Sequence, residues 1–153
     1  MNGGDIIYAK EYKNFDLEIG WKVRKAGNSG AMFYSQEGPK YDYPRQTGIE
    51  SPVLDYIDAG DVKMIKCKGG DLYQLVSCII DMVKPAGEWN QLEIISNNGK
   101  LDLILNETKV IDMTIRDNNR EKSIAGAKFK DMPGSGMFRS GKIALQGEGN
   151  HVW

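Results

Sequence analysis

Apolar and polar residues alternate without a break from Phe15 to Val23: Phe15, Leu17, Ile19, Trp21 and Val23 on one side, Asp16, Glu18, Gly20 and Lys22 on the other. Period-two alternation predicts a half-buried strand. The run Lys25-Ala26-Gly27-Asn28-Ser29-Gly30 then supplies turn residues, and Ala31 to Ser35 resumes as apolar strand, so the pair reads as a hairpin. Gln36 to Thr47 reads as a loop lined by Tyr41 and Tyr43. Gly48 to Asp55 is β-leaning except at Pro52, which lacks the N–H of a central ladder and predicts a bulge or an edge. Trp89 to Ser96, Lys100 to Asn106 and Lys109 to Arg116 follow one another across Asn97-Asn98-Gly99 and Asn106-Glu107-Thr108 as a three-strand meander. Only Leu72 to Val76 and Ser123 to Phe129 suit short helical turns. Many short strands between Gly-rich turns predict an all-β sandwich of two antiparallel sheets.

Composition narrows the function classes. The 153 residues fit one domain, residues 1–153, and 41% hydrophobic with 27% charged residues is ordinary for a globular chain. A net charge of -1, with no basic stripe, gives nucleic acid no footprint. No apolar run has the length of a membrane span, and Met1 to Asp5 has no signal-peptide pattern. Cys67 and Cys78 make neither a CxxC nor a ligand cluster and read as free thiols. With one histidine, His151, near the end of the chain, and no Walker loop, Ser-His-Asp hydrolysis and P-loop chemistry are set aside.

Several segments, in order, carry a resemblance. They are Asn14-Phe15-Asp16-Leu17 leading to Trp21-Lys22, Gly27-Asn28-Ser29-Gly30 before Phe33-Tyr34, Thr47-Gly48-Ile49-Glu50 leading to Val53-Leu54-Asp55, Asp58-Ala59 and Gly70-Asp71-Leu72-Tyr73. Lys84-Pro85-Ala86-Gly87-Glu88-Trp89-Asn90, Leu105-Asn106 and Gly141 to Gln146 follow. The chain resembles the 3-keto-disaccharide hydrolase family, whose members are concanavalin A-like jelly rolls. The resemblance implies a carbohydrate ligand, cleavage of glycosides oxidised at carbon 3, and a periplasmic or secreted setting. It also implies further strands before Tyr8 and after Trp153, so the chain reads as a truncated domain whose unpaired sheet edges would pair with another copy or a partner chain. Departures fall on polar positions: Glu50-Ser51-Pro52 stands where the family has Glu-x-Gln, Gly147-Glu148-Gly149 where it tends to have Asp-His-Gly, and Leu103 and Ile104 where a histidine or tryptophan is expected.

Within that resemblance, Glu50 and Asp55 are the candidate catalytic carboxylates, one to protonate and the other to attack or abstract a proton. On a regular strand their odd spacing points them to opposite faces, so the pair requires a bulge, expected at Pro52. Glu148 is a substitute base at the family's histidine position. Asn28, Gln146 and His151 are candidate substrate ligands, and Tyr34, Tyr41 and Tyr43 a stacking platform for a sugar ring. Glu88 reads as a strand-entry ion pair beside a core Trp89. No cofactor is implied; Asp58, Asp61 and Asp71 offer oxygens to a divalent cation without EF-hand spacing, so a metal site stays unassigned. Three functions remain open: a 3-keto-glycoside hydrolase, a non-catalytic carbohydrate-binding module, and a structural sandwich that pairs through its edges.

Overall fold

The computed structural model describes residues 4–55, 82–115 and 134–147. The expected helical turns at 72–76 and 123–129, both cysteines, the strand expected near Trp153 and the aspartates proposed for a cation lie outside the described residues. Among the described residues there are eight strands, β1 (Ile6–Tyr12), β2 (Phe15–Trp21), β3 (Asn28–Ser35), β4 (Ile49–Leu54), β5 (Asn90–Asn97), β6 (Lys100–Leu105), β7 (Thr108–Thr114) and β8 (Gly141–Leu145), and one 3-10 turn at Pro44–Gln46. They form two antiparallel four-stranded sheets, sheet A in the order β1-β8-β3-β4 and sheet B in the order β2-β5-β6-β7. The core lies between them, with Phe33, Ile49 and Val53 from sheet A against Trp21, Leu92, Ile94, Leu101, Leu103 and Leu105 from sheet B.

Sheet B follows the alternation residue by residue in β2, β5 and β6; in β7 the register shifts opposite Leu103 and Ile104, and Val110 and Ile111 are both buried. The meander turns at Asn98 and Gly99 (φ 49° and 84°) and again at Asn106 and Glu107 (φ 48° and 67°), the positive-φ pairs that match hairpin twist. The inner face of the meander is largely aliphatic, with Phe15 and Trp21 added from β2; the outer face carries the charges. There Asp102 takes ion pairs from Lys109 (3.1 Å) and Lys100 (3.4 Å). Burial pushes the Asp102 carboxyl up, but the hydrogen bonds from Lys109 and Lys100 outweigh it and hold the group below the usual aspartate range. Glu93 goes the other way: desolvation, then the nearby charges of Asp16 and Glu18, raise its carboxyl.

The expected hairpin between β2 and β3 does not form. β2 pairs with β5 in sheet B, whereas β3 pairs with β4 and β8 in sheet A, so the segment between them crosses from one sheet to the other. Alternation fixes which face a strand buries but not which strand lies beside it. The crossing is closed by Gly27 N–H donating to the Arg24 carbonyl (2.8 Å), with Ala26 at φ 58°. A β-carbon on Gly27 would stand 2.8 Å from the Arg24 oxygen.

Sheet A is less regular. The register of β3 against β8 shifts between Met32 and Ser35, and Tyr34 at φ 62° turns inward beside Phe33. Its hydroxyl donates to the Lys13 carbonyl (3.0 Å) and is hydrogen-bonded to Ser96 of β5, and its ring meets Phe15 and Phe33 edge-on. These contacts tie sheet A to sheet B and offset the left-handed backbone of a bulky residue. Among the described residues β1 and β2 are edge strands, flanking an apolar groove of about 630 Å³ lined by residues such as Ile6, Phe15, Leu17 and Leu145.

Candidate functional site

β4 runs beside β3 in unbroken register, Phe33 opposite Ile49, Met32 opposite Glu50, Ala31 opposite Ser51, Gly30 opposite Pro52, and Asn28 opposite Leu54. No bulge occurs at Pro52. The reason lies in hydrogen-bond direction: Gly30 O accepts from Gln146 N (2.8 Å) on the β8 side, so the Gly30–Pro52 pair is a non-hydrogen-bonded one and the missing N–H of proline falls on the outer side of β4. β4 is the edge of sheet A among the described residues, the place where a strand proline is tolerated.

Regular pairing sends Ile49, Ser51 and Val53 to the core and Glu50, Pro52 and Leu54 to the outer face, joined there by Asn28, Gly30 and Met32 from β3. Ala144 of β8 pairs with Met32, so Gln146, two residues on, shares that face and sits beside Gly30. Ser29 Oγ donates to the Gln146 carbonyl (2.7 Å) from the core side and fixes the end of β8. Asn28, Glu50 and Gln146 are half-buried, while Gly30, Met32, Pro52, Leu54 and Ala144 are buried. One carboxylate and two amides thus stand on an apolar floor around a glycine. A β-carbon on Gly30 would lie 2.8 Å from both Glu50 Cγ and Cδ, so the acid side chain lies across that glycine. Such a group can accept or deliver a proton, and the amides can donate hydrogen bonds to an oxygen that gains charge.

Other expected site residues fall elsewhere. Without a bulge, Asp55 does not pair with Glu50: it is buried, and its Oδ2 accepts the Ala26 N–H (2.8 Å) while its own N–H donates to the Gly27 carbonyl (2.9 Å), closing the crossing from sheet B. Tyr34 is correspondingly no stacking platform, because the shift in β3 buries its ring between the sheets. Tyr41 packs on Gly134, and Tyr43 is 50% exposed with the Arg45 guanidinium 4.2 Å over its ring. Trp89 is not core either; it is 51% exposed under the Lys22 ammonium, and Glu88 makes no ion pair among the described residues. In the same run Asn90 is the buried member. Its Oδ1 accepts from Lys84 N and from Asn106 Nδ2 (both 2.9 Å), and Asn106 Nδ2 also donates to the Met82 carbonyl (2.7 Å), an amide knot that pins the entry to β5. Glu148 and His151 lie outside the described residues.

Gly30, expected in a turn, lies instead inside β3, where a glycine marks close approach by another group. Among the described residues no three His, Cys, Asp or Glu stand together as metal ligands, and no helix is long and apolar enough to cross a membrane.

The family model for the 3-keto-alpha-glucoside-1,2-lyase-like domain matches residues 1–153. The chain belongs to this family. A curated relative, the 3-keto-disaccharide hydrolase of Bacteroides thetaiotaomicron, is 28% identical over 173 residues, covering 99% of this chain and 60% of the relative. The chain therefore spans about three fifths of that protein's length. A crystal structure of a Parabacteroides distasonis protein, provisionally assigned as a glycosyl hydrolase, superposes with a TM-score of 0.87 at 28% identity, covering 96% of this chain and 69% of that one. The carbohydrate-binding module CBM66 of Bacillus subtilis shares the fold, with a TM-score of 0.57 at 15% identity over 98% of this chain and 74% of the module. The expected jelly-roll sandwich and the expected family are both found.

Proposed function

We propose that this domain cleaves glycosides whose sugar carries a ketone at carbon 3, with Glu50 as the base. The observation that carries the reading is the convergence of Glu50, Asn28 and Gln146 around Gly30 on an otherwise apolar face. A ketone at carbon 3 acidifies the hydrogen on carbon 2. Glu50 takes that proton, and the electron pair moves into an enolate whose charge falls on the carbon 3 oxygen, where the Asn28 and Gln146 amides donate. Collapse of the enolate breaks the bond from carbon 1 to its substituent, which leaves with the proton from Glu50. Water then adds across the enone, hydroxyl to carbon 1 and hydrogen to carbon 2, releasing the 3-keto sugar. Family membership and the 3-keto-disaccharide hydrolase among its relatives support the substrate class.

One observation favours a second reading, a module that holds carbohydrate without turning it over. Pro52 projects onto the same face beside Gly30, where the family resemblance places an amide, and its ring can donate no hydrogen bond. Incubation with a 3-keto-glucoside, following release of the aglycone, separates the two. Turnover that falls by at least about 100-fold in Glu50→Gln is expected for a general base. Turnover equal to wild type in that variant sinks the role of Glu50, and binding of the unoxidised sugar without release of aglycone establishes the module.

A further inference from the structure

We propose that Gly30 is a positioning residue for Glu50: the bare α-carbon is the seat of the acid side chain, and its lack of a β-carbon sets where the carboxylate stands. The inference rests on the reading of Glu50 as base. Glycine inside a strand weakens it, since it adds backbone freedom and packs nothing. Gly30 does not owe its place to backbone angles, because its φ lies outside the left-handed region, unlike Gly87 or Gly99. Nor is it a turn residue: it lies within β3, opposite Pro52 and hydrogen-bonded to Gln146.

What a side chain there would meet is specific. The three heavy atoms nearest to an added β-carbon are all from Glu50, Oε1, Cδ and Cγ, the last two at 2.8 Å. No backbone atom is among them. At Gly27 and Gly141, by contrast, the near atoms include the backbone of Arg24 and of Tyr34 and Ser35. An alanine at 30 therefore leaves the sheet standing and moves the carboxylate. The register explains the geometry: Glu50 is the diagonal neighbour of Gly30 across β3 and β4.

The test is a cycle of Gly30→Ala, Glu50→Asp and the double variant, with turnover of a 3-keto-glucoside, thermal midpoints and the titration of a carbon-13-labelled Glu50 carboxyl by NMR. Gly30→Ala should lower kcat by about 100-fold, the scale of a misplaced catalytic group, with KM within about twofold. The shorter acid makes room for the methyl group, so the double variant should be no slower than Glu50→Asp alone. If Gly30→Ala fails to fold, the double variant should fold. Unchanged kcat in Gly30→Ala, losses that multiply in the double variant, or failure of both to fold would each overturn the assignment. Wild-type protein that releases no aglycone defeats the proposed reaction instead, and the NMR titration still decides the seat: a Glu50 midpoint that is the same in wild type and Gly30→Ala rejects it.

Discussion

Two of the three pairings in sheet B join consecutive strands, against one of three in sheet A. In sheet B, β5, β6 and β7 follow one another through two-residue turns, and their outer face is solvated charge. In sheet A, β8 enters between β1 and β3, two pairings carry register shifts against one in sheet B, and the outer face combines buried Met32, Leu54 and Ala144 with half-buried polar groups. The candidate site stands on the second. Regular local pairing suits a supporting layer, because every position has one role. Strands brought together from distant parts of the chain set side chains such as Asn28, Glu50 and Gln146 against one another at spacings that no single segment could supply.

The contrast can be broken by mutation. Leu103→Ala, which empties part of the inner face of sheet B, should cost about 2–5 kcal/mol in urea unfolding while leaving the KM of the remaining folded protein unchanged. A shifted KM at low urea would show the two sheets to be coupled more tightly than this division allows. Tyr34→Phe removes the hydroxyl that joins β3 to Lys13 and Ser96, leaving the buried Ser96 hydroxyl without that partner; about 1–3 kcal/mol of stability should be lost. A loss under a few tenths of a kcal/mol would show that the aromatic packing alone holds the bulge.

The smallest effects belong to the outer face of sheet B and have opposite signs. The lowered Asp102 carboxyl contributes stability that is present above the pKa of an unfolded aspartate and is lost as pH falls through its folded value. The raised Glu93 carboxyl favours the protonated fold, so its crowding against Asp16 and Glu18 is relieved as pH falls. Asp102→Asn should flatten the acid loss in a pH series of thermal midpoints, by at most about 1 kcal/mol for a pair at the surface. Glu93→Gln should raise the midpoint at neutral pH and leave it unchanged in acid. Equal effects of both variants at every pH would assign them to packing rather than charge.

What could be read from the sequence divides along the same line. The meander was legible because alternation and an Asn-Gly turn are local signals. β1 was not, since Ile6-Ile7-Tyr8 puts three large residues in a row and the strand is largely exposed. Period-two counting puts Glu50 on the face opposite Ile49 and Val53, but the fate of Asp55 depended on whether Pro52 bulged, and that was decided by which side of Gly30 carries the hydrogen bond. Tyr34 was misplaced for a related reason: a single residue with left-handed backbone reverses the parity of its strand, and nothing in Phe33-Tyr34-Ser35 announces it.

The position of β8 also orders assembly in time. During synthesis β5 to β7 can close on one another as soon as they emerge, whereas β1 and β3 have no shared neighbour until Gly141 to Leu145 leaves the ribosome. Gln146 follows directly after, so the face around Gly30 is completed only once residue 146 has been made, and a ribosome stalled before that point carries Glu50 without Gln146.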